Sequence, residues 1–270
     1  MTAVKRRNSG FTLVELAIVL VIIGLIVGGV LTGADLIKAA TIRSTVSDIE
    51  RINAGATTFR GKYNGLPGDL IASRAVEYNL SASADLNAAG TVGLRDGNSV
   101  LEGGAAGSTT LRGEIALFWK DLGATGLIPG NYPGIGTAVG PAAAVTSANV
   151  NTYLPPSKLR DSAAYYVYSV AGRNFLYIGT ITATTPAGVV TAANAVTPLE
   201  AKGIDEKIDD GAPTTGTVLS MTDLTTAYAG GAVGTGICNS NATPSVYNVS
   251  SAATGAAGNV VCQLQVRTSF

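Results

Sequence analysis

Residues 11–34 read FTLVELAIVLVIIGLIVGGVLTGA, an apolar run of 24 residues with one ionisable side chain, Glu15. A helix needs about 20 apolar residues to cross roughly 30 Å of bilayer hydrocarbon, so this run is long enough to span with some tilt. Lys5, Arg6 and Arg7 stand just before it, and cations on that side keep the N-terminus in the cytoplasm. A basic start and an apolar core also describe a secretory signal, but such cores run to about 7–15 residues. Here no A-x-A-like site follows, and the chain continues into Asp35, Leu36, Ile37 and Lys38 with helical character.

Glu15 is the anomaly. A carboxylate in hydrocarbon costs several kcal/mol, roughly 2.5–3.5 for Asp at a helix centre and less towards an end. Either Glu15 lies at the interface and reaches for water, or it has a partner.

The string GFTLVELAIVLVIIGLI resembles the N-terminus of type IV pilin precursors and of the related type II secretion pseudopilins. The resemblance covers about the first 50 residues. It implies a short basic leader ending at Gly10, cleavage after that glycine by a prepilin peptidase, and methylation of the new N-terminus at Phe11. Glu15 then matches the glutamate that is the hallmark of the family. Cleavage exposes an α-amino group with a reference pKa of about 7.7–8.0, and the resemblance implies that Glu15 of one subunit pairs with the amine of Phe11 in the next. Leaving either charge buried alone would cost on the order of 3–5 kcal/mol, so the pair acts mainly as a register device.

The rest of the run suits helix packing. Gly24/Gly28 and Gly29/Gly33 make two G-x-x-x-G spacings, which let backbones approach closely; glycine is also simply frequent in membrane helices. Many family members carry a proline near the end of this run, where Thr32 and Gly33 stand here. Local melting around residues 28–33 is therefore left open. Beyond it, Ile42, Val46, Ile49, Ile52, Ala56 and Phe59 recur at steps of three and four, one helical face. The helix is expected to run to about Lys62, where Asn64-Gly65 and Pro67-Gly68 stop it. At 1.5 Å per residue it would be about 78 Å long, too long for lipid alone. Its second half is expected against a globular head.

The chain has 18 basic and 18 acidic residues and no histidine. Without its leader cations it is net acidic, so no nucleic-acid partner is expected. The absence of histidine removes Ser-His-Asp and Cys-His catalysis and histidine-ligated zinc. Cys238 and Cys262 are the only cysteines. Outside the cytoplasmic membrane they meet oxidising conditions and are expected to pair, stabilising the fold by roughly 3 kcal/mol; the alternative is two buried thiols. The resemblance adds that many pilins clamp a C-terminal loop with one disulfide.

Residues 64–270 form the head. Four stretches rich in Ala, Gly, Thr and Ser, roughly 81–110, 133–151, 182–197 and 230–258, read as loops and short edge strands. Residues 113–127 place Ile115, Phe118, Trp119 and Leu122 at helical spacing. AYYVYSV at 164–170 and FLYIGTIT at 175–182 predict a hairpin turning at Gly172-Arg173-Asn174, with Tyr165, Tyr166, Tyr168 and Tyr177 packing across strands. Thr197-Pro198-Leu199-Glu200 is a capping box opening a helix to about Ile208.

That helix ends in Asp205, Asp209 and Asp210, although helix C-termini favour cations. Asp210-Gly211 before Pro213 is turn chemistry; the sharper alternative is a cation site, with calcium the fitting ion for all-oxygen ligands. A weaker calcium pattern starts at Asp85 with Asn87 and Gly90 and ends at Asp96, with Ala89 at its fifth place. YNGLPGD and IDEKIDDG also resemble strings in large pilin-like proteins of unassigned role.

The expected fold is α+β: a leader at 1–10, a transmembrane or filament-core helix at 11–34, its amphipathic continuation at 35–63, and an antiparallel head at 64–270. The resemblance implies a non-enzymatic subunit of a type IV pilus or secretion pseudopilus. Its partners would be the prepilin peptidase, other subunits in a helical filament, an inner-membrane assembly platform, and lipid before assembly. It would sit in the bacterial inner membrane with a periplasmic head, then in a filament. The alternatives are a minor tip, initiator or adhesive subunit, a membrane-anchored enzyme or binding protein that never polymerises, and a calcium-sensing accessory protein.

Overall fold

The computed structural model describes residues 11–80, 95–103, 111, 113–133, 145–184, 190–221, 238–240, 245–249 and 259–270. The leader and Gly10, and the calcium-like residues Asp85, Asn87 and Gly90, lie outside these residues. The chain divides into two compact units, Met1–Thr41 and Ile42–Phe270.

Helix α1, Leu13–Tyr63, is continuous. In the first unit every large apolar side chain from Phe11 to Ile37 is exposed. The helix does not break at residues 28–33, where the Thr32 hydroxyl donates to the Gly28 carbonyl at 3.0 Å. From Ile42 onward the character changes. Val46, Ile49, Ile52, Ala56 and Phe59 are buried, the face predicted by the three-four spacing. Asn64 ends the helix in the left-handed region, φ 56°, which Asn tolerates better than most residues.

The sheet of the head is antiparallel. Its strands are β1 (Ala163–Val170), β2 (Arg173–Thr184), β3 (Val190–Ala193), β4 (Val218–Met221) and β5 (Gln263–Arg267). Their order is β1-β2-β5-β4, with β3 also beside β2. Strand β2 is long enough to take two partners along one edge: Phe175–Ile178 pair with β5, and Thr180–Thr184 with β3. The hairpin turn falls one residue earlier than expected. Ala171 and Gly172 both have positive φ, 50° and 72°, and Val170 pairs directly with Arg173. Two left-handed residues suit the twist of a two-residue hairpin, so Arg173 and Asn174 belong to the ladder.

Strand β1 is buried on both faces. The Tyr165 hydroxyl points to α1, donating to Asp48 Oδ2 at 3.4 Å. On the other face Tyr166 stacks on Tyr168 and meets Tyr177 edge-on. The Tyr168 and Tyr177 hydroxyls donate to Gln265 and Gln263 of β5 at 2.8 and 3.0 Å. These tyrosines pack across strands as expected.

Helix α3, Gly113–Ala124, buries Ile115, Phe118, Trp119 and Leu122. Two short helices, α2 (Ala72–Glu77) and α4 (Val150–Tyr153), complete the connections. Helix α5, Pro198–Ile208, opens with both bonds of its capping box. Cys238 and Cys262 form a disulfide with Cα atoms 5.1 Å apart. Cys262 is also bridged to Val196 through the backbone, so the disulfide ties the 238–249 segment to the entry of α5.

Gly68 has φ 81°, and an added Cβ would lie against the Glu114 carbonyl and 2.7 Å from Phe118 N. Gly126 has φ 69° but open space around it. Gly68→Ala is expected to destabilise the head by about 3 kcal/mol or more, and Gly126→Ala by about 1 kcal/mol, from backbone strain alone. Thermal denaturation of the two variants of the detergent-solubilised chain checks the contrast.

Candidate functional site

Thr12 caps α1, and Glu15 occupies its third helical position. The Thr12 backbone N–H donates to Glu15 Oε2 at 2.8 Å, and so does the Thr12 hydroxyl, at 2.8 Å. In return Glu15 N–H donates to Thr12 Oγ1 at 3.3 Å. This is a capping box: two N–H groups that the helix cannot satisfy internally receive side-chain acceptors. It also puts a carboxylate at the positive end of the helix dipole. Sequence reasoning missed this partner, although Thr12-Leu13-Val14-Glu15 spells the box. Both Thr12 bonds fall on Oε2; among the described residues Oε1 accepts none. Phe11 is exposed. At Gly24, Gly28, Gly29 and Gly33 an added Cβ would meet nothing within 4 Å, so the helix surface there is open.

The three aspartates at the end of α5 are brought together, with one oxygen from each within 4.8 Å of the others. Each one shapes the turn. Asp205 is fully buried, accepting from the Tyr247 hydroxyl at 2.8 Å and Gly211 N–H at 3.1 Å. Asp209 Oδ2 accepts from Thr217 and Val218 N–H. Asp210 accepts from Ala212 N–H at 2.9 Å and the Thr215 hydroxyl at 2.7 Å. Burial, outweighing those bonds, pushes the Asp205 carboxyl up to about 6. Each of the three carboxylates thus also bonds within the turn.

A second set of acids was not legible in the sequence. Asp69 follows α1, and Glu114 opens α3; both are buried. Asp69 accepts from Gly97 N–H at 2.7 Å and Ser99 N–H at 2.6 Å. Glu114 accepts from Asp96 N–H at 3.3 Å and Glu102 N–H at 3.0 Å. One oxygen of each carboxyl lies within 4.8 Å of the other and of an Asp96 oxygen. Burial, then the charge of Asp69, pushes Glu114 up to about 9, and burial raises Asp69 as well. Burial and the closeness of the two carboxyls thus favour the protonated form of Glu114. Beside it, Arg95 and Asp121 form a fully buried ion pair at 2.7 Å. Asp121 Oδ2 accepts from Gly68 N–H at 2.8 Å. Asp96 is exposed and folds back on Asn98.

The family model described as the prokaryotic N-terminal methylation motif matches residues 5–31. This is the prepilin-type cleavage and methylation signature of type IV pilins and pseudopilins. No curated protein and no solved structure matches the chain.

The carboxyl pair gives the head a pH dependence of defined sign. A carboxyl whose folded pKa is raised binds its proton more tightly when folded. Its contribution is complete below the unfolded value of about 4.3 and is lost as pH rises through the folded one. With Glu114 near 9, the melting temperature is expected to fall steadily from pH 5 to pH 9. The slope would be on the order of 1 kcal/mol per pH unit. Glu114→Gln starts lower at pH 5, because its amide nitrogen cannot accept a backbone N–H, but its slope is flatter. Melting curves across that range check both.

Proposed function

We propose that this chain is the precursor of a type IV pilus or secretion-pseudopilus subunit. It is cut after Gly10 by a prepilin peptidase, methylated on Phe11, and held in the bacterial inner membrane by residues 11–34 until it joins a filament. The observation that carries this reading is the coincidence of the methylation motif at residues 5–31 with a helix whose large apolar side chains from Phe11 to Ile37 are all exposed. Such a surface requires lipid or other helices around it. The open backbone at Gly24 and Gly28 suits close approach of a neighbouring helix.

The capping box supports the assembly role of Glu15. A carboxylate offers about four lone-pair positions. Thr12 uses Oε2, which leaves Oε1 to accept from the amine of Phe11 in an adjacent subunit. One side chain then organises the start of its own helix and fixes the stagger of its neighbour.

Two substitutions separate these duties. Gln at the third helical position still completes a capping box, but it carries no charge. Glu15→Gln and Glu15→Leu are both expected to insert in the membrane and to lower sheared filament material about tenfold or more, since the amine is left without a counter-charge. Assembly of Glu15→Gln at the wild-type level would overturn the pairing and leave the cap as the whole role of Glu15. Mass spectrometry of the mature chain should find methylated Phe11 as its first residue; an intact leader would overturn the subunit reading and favour a non-polymerising anchored protein.

A further inference from the structure

A cavity of about 370 Å³ opens on the head between α1, the segment after α3 and the segment before β1. Tyr132 and Tyr165, both buried, lie at its wall, with Pro129 and Pro155 beside them. Its charged groups are Asp48, Arg51 and Lys158. Arg51 is half exposed and reaches Asp48 through Nη2 alone, at 2.7 Å. The second Asp48 oxygen accepts from the Tyr165 hydroxyl. Lys158 is exposed and makes no ion pair among the described residues. The cavity therefore carries one uncompensated positive charge on apolar walls, and it fits an anionic group.

The same head carries a surface with the opposite need. Asp209 and Asp210 stand at the C-terminal end of α5, where the helix dipole disfavours carboxylates. Neither makes an ion pair among the described residues; the only one on this helix end is Lys202 with Glu206, at 3.5 Å. Asp210 is exposed, yet it is held rigid by Ala212 and Thr215. A preorganised acidic knob loses little freedom on binding. The cation that this turn invites as a sequence is, on this reading, a protein side chain rather than a metal.

We propose that the cavity bounded by Arg51 and Lys158 receives the Asp209–Asp210 turn of a second copy of this chain. The two patches are different, so the contact is heterologous. Such contacts propagate from copy to copy and build open filaments when the rotation does not close. The inference rests on the filament reading above and names a head-to-head contact within it. It adds to the stagger set by Glu15 a constraint on how the heads meet, because like-charge misalignments are penalised.

The test uses the full chain in cells. Filaments carrying Lys158→Cys together with Asp210→Cys are treated with a short bismaleimide and run on a denaturing gel. A ladder of covalent multimers is expected from the double variant and none from either single variant. In parallel, Lys158→Glu and Asp210→Lys are each expected to cut filament yield about tenfold, and their combination to restore it, since the charges are exchanged rather than removed. Lys158 is exposed, but Asp210 also holds its turn through Ala212 and Thr215. Asp210→Asn keeps an acceptor for Ala212 and a donor for the Thr215 hydroxyl while removing the charge. It is expected to lower filament yield as well, and an unaltered yield would overturn the contact. Filaments without a ladder would overturn the contact and assign the cavity to another occupant. Single reversals without effect, or a double reversal that fails to rescue, would overturn it equally. Absence of filaments from the unaltered chain is a separate outcome: it would remove the subunit reading itself, and this contact with it.

Discussion

From Leu13 to Ile37, α1 presents large apolar side chains that nothing in their own unit covers. Water penalises such a surface at about 25 cal/mol for each Å². The rest of the molecule is arranged around that fact. Lipid and a bundle of like helices are the environments suited to such a surface. Every polar feature within this segment has to be satisfied locally. Thr32 returns its hydroxyl to the Gly28 carbonyl. Thr12 and Glu15 satisfy each other.

The same helix then serves a second environment without interruption. Past Ile42 its apolar residues narrow to one face, and that face forms part of the core of the head. Aromatic contacts continue this line, with Phe59 and Tyr63 4.4 Å apart and Tyr63 and Tyr78 4.8 Å apart. A buried stripe of this kind anchors a helix far more firmly than intrinsic propensity does. At Gly55 an added Cβ would meet the Leu127 carbonyl at 3.4 Å and Ile128 at 3.5 Å, so the head packs close to the helix backbone there.

Much of this was legible because it is local. The apolar run, the three-four spacing of α1, the Thr197–Glu200 box and the tyrosine-rich strands are each patterns within one continuous stretch of chain. The hairpin slipped by one residue because a positive φ at Ala171 is set by strand twist, not by residue type. The Thr12–Glu15 box was written just as plainly as the later one. It was hidden because a membrane carboxylate draws attention to distant partners. Strands β4 and β5 are short and pair with each other across more than 40 residues. No period announces them. The contacts of Asp69 with residues 97 and 99, of Asp121 with Gly68, and of Asp205 with Tyr247 join positions 28 to 53 apart. Only the folded chain brings such groups together.

Those long-range contacts follow one rule. The head is poor in charge and rich in small residues, so its loops have little apolar surface to bury. A carboxylate at a loop base offers another way to order them, since each oxygen accepts more than one N–H. Asp69 gathers the N–H groups of Gly97 and Ser99, whose φ values are positive, 80° and 68°. Glu114 gathers Asp96 and Glu102, Asp121 gathers Gly68 and Arg95, and Asp209 gathers Thr217 and Val218. Acids placed for this purpose cluster at turns, and in a sequence such clusters look like cation ligands. Where two meet, as at Asp69 and Glu114, burial raises both carboxyls, and loop order becomes tied to acidity. The acids that build this head are thus the same groups that make its stability depend on pH.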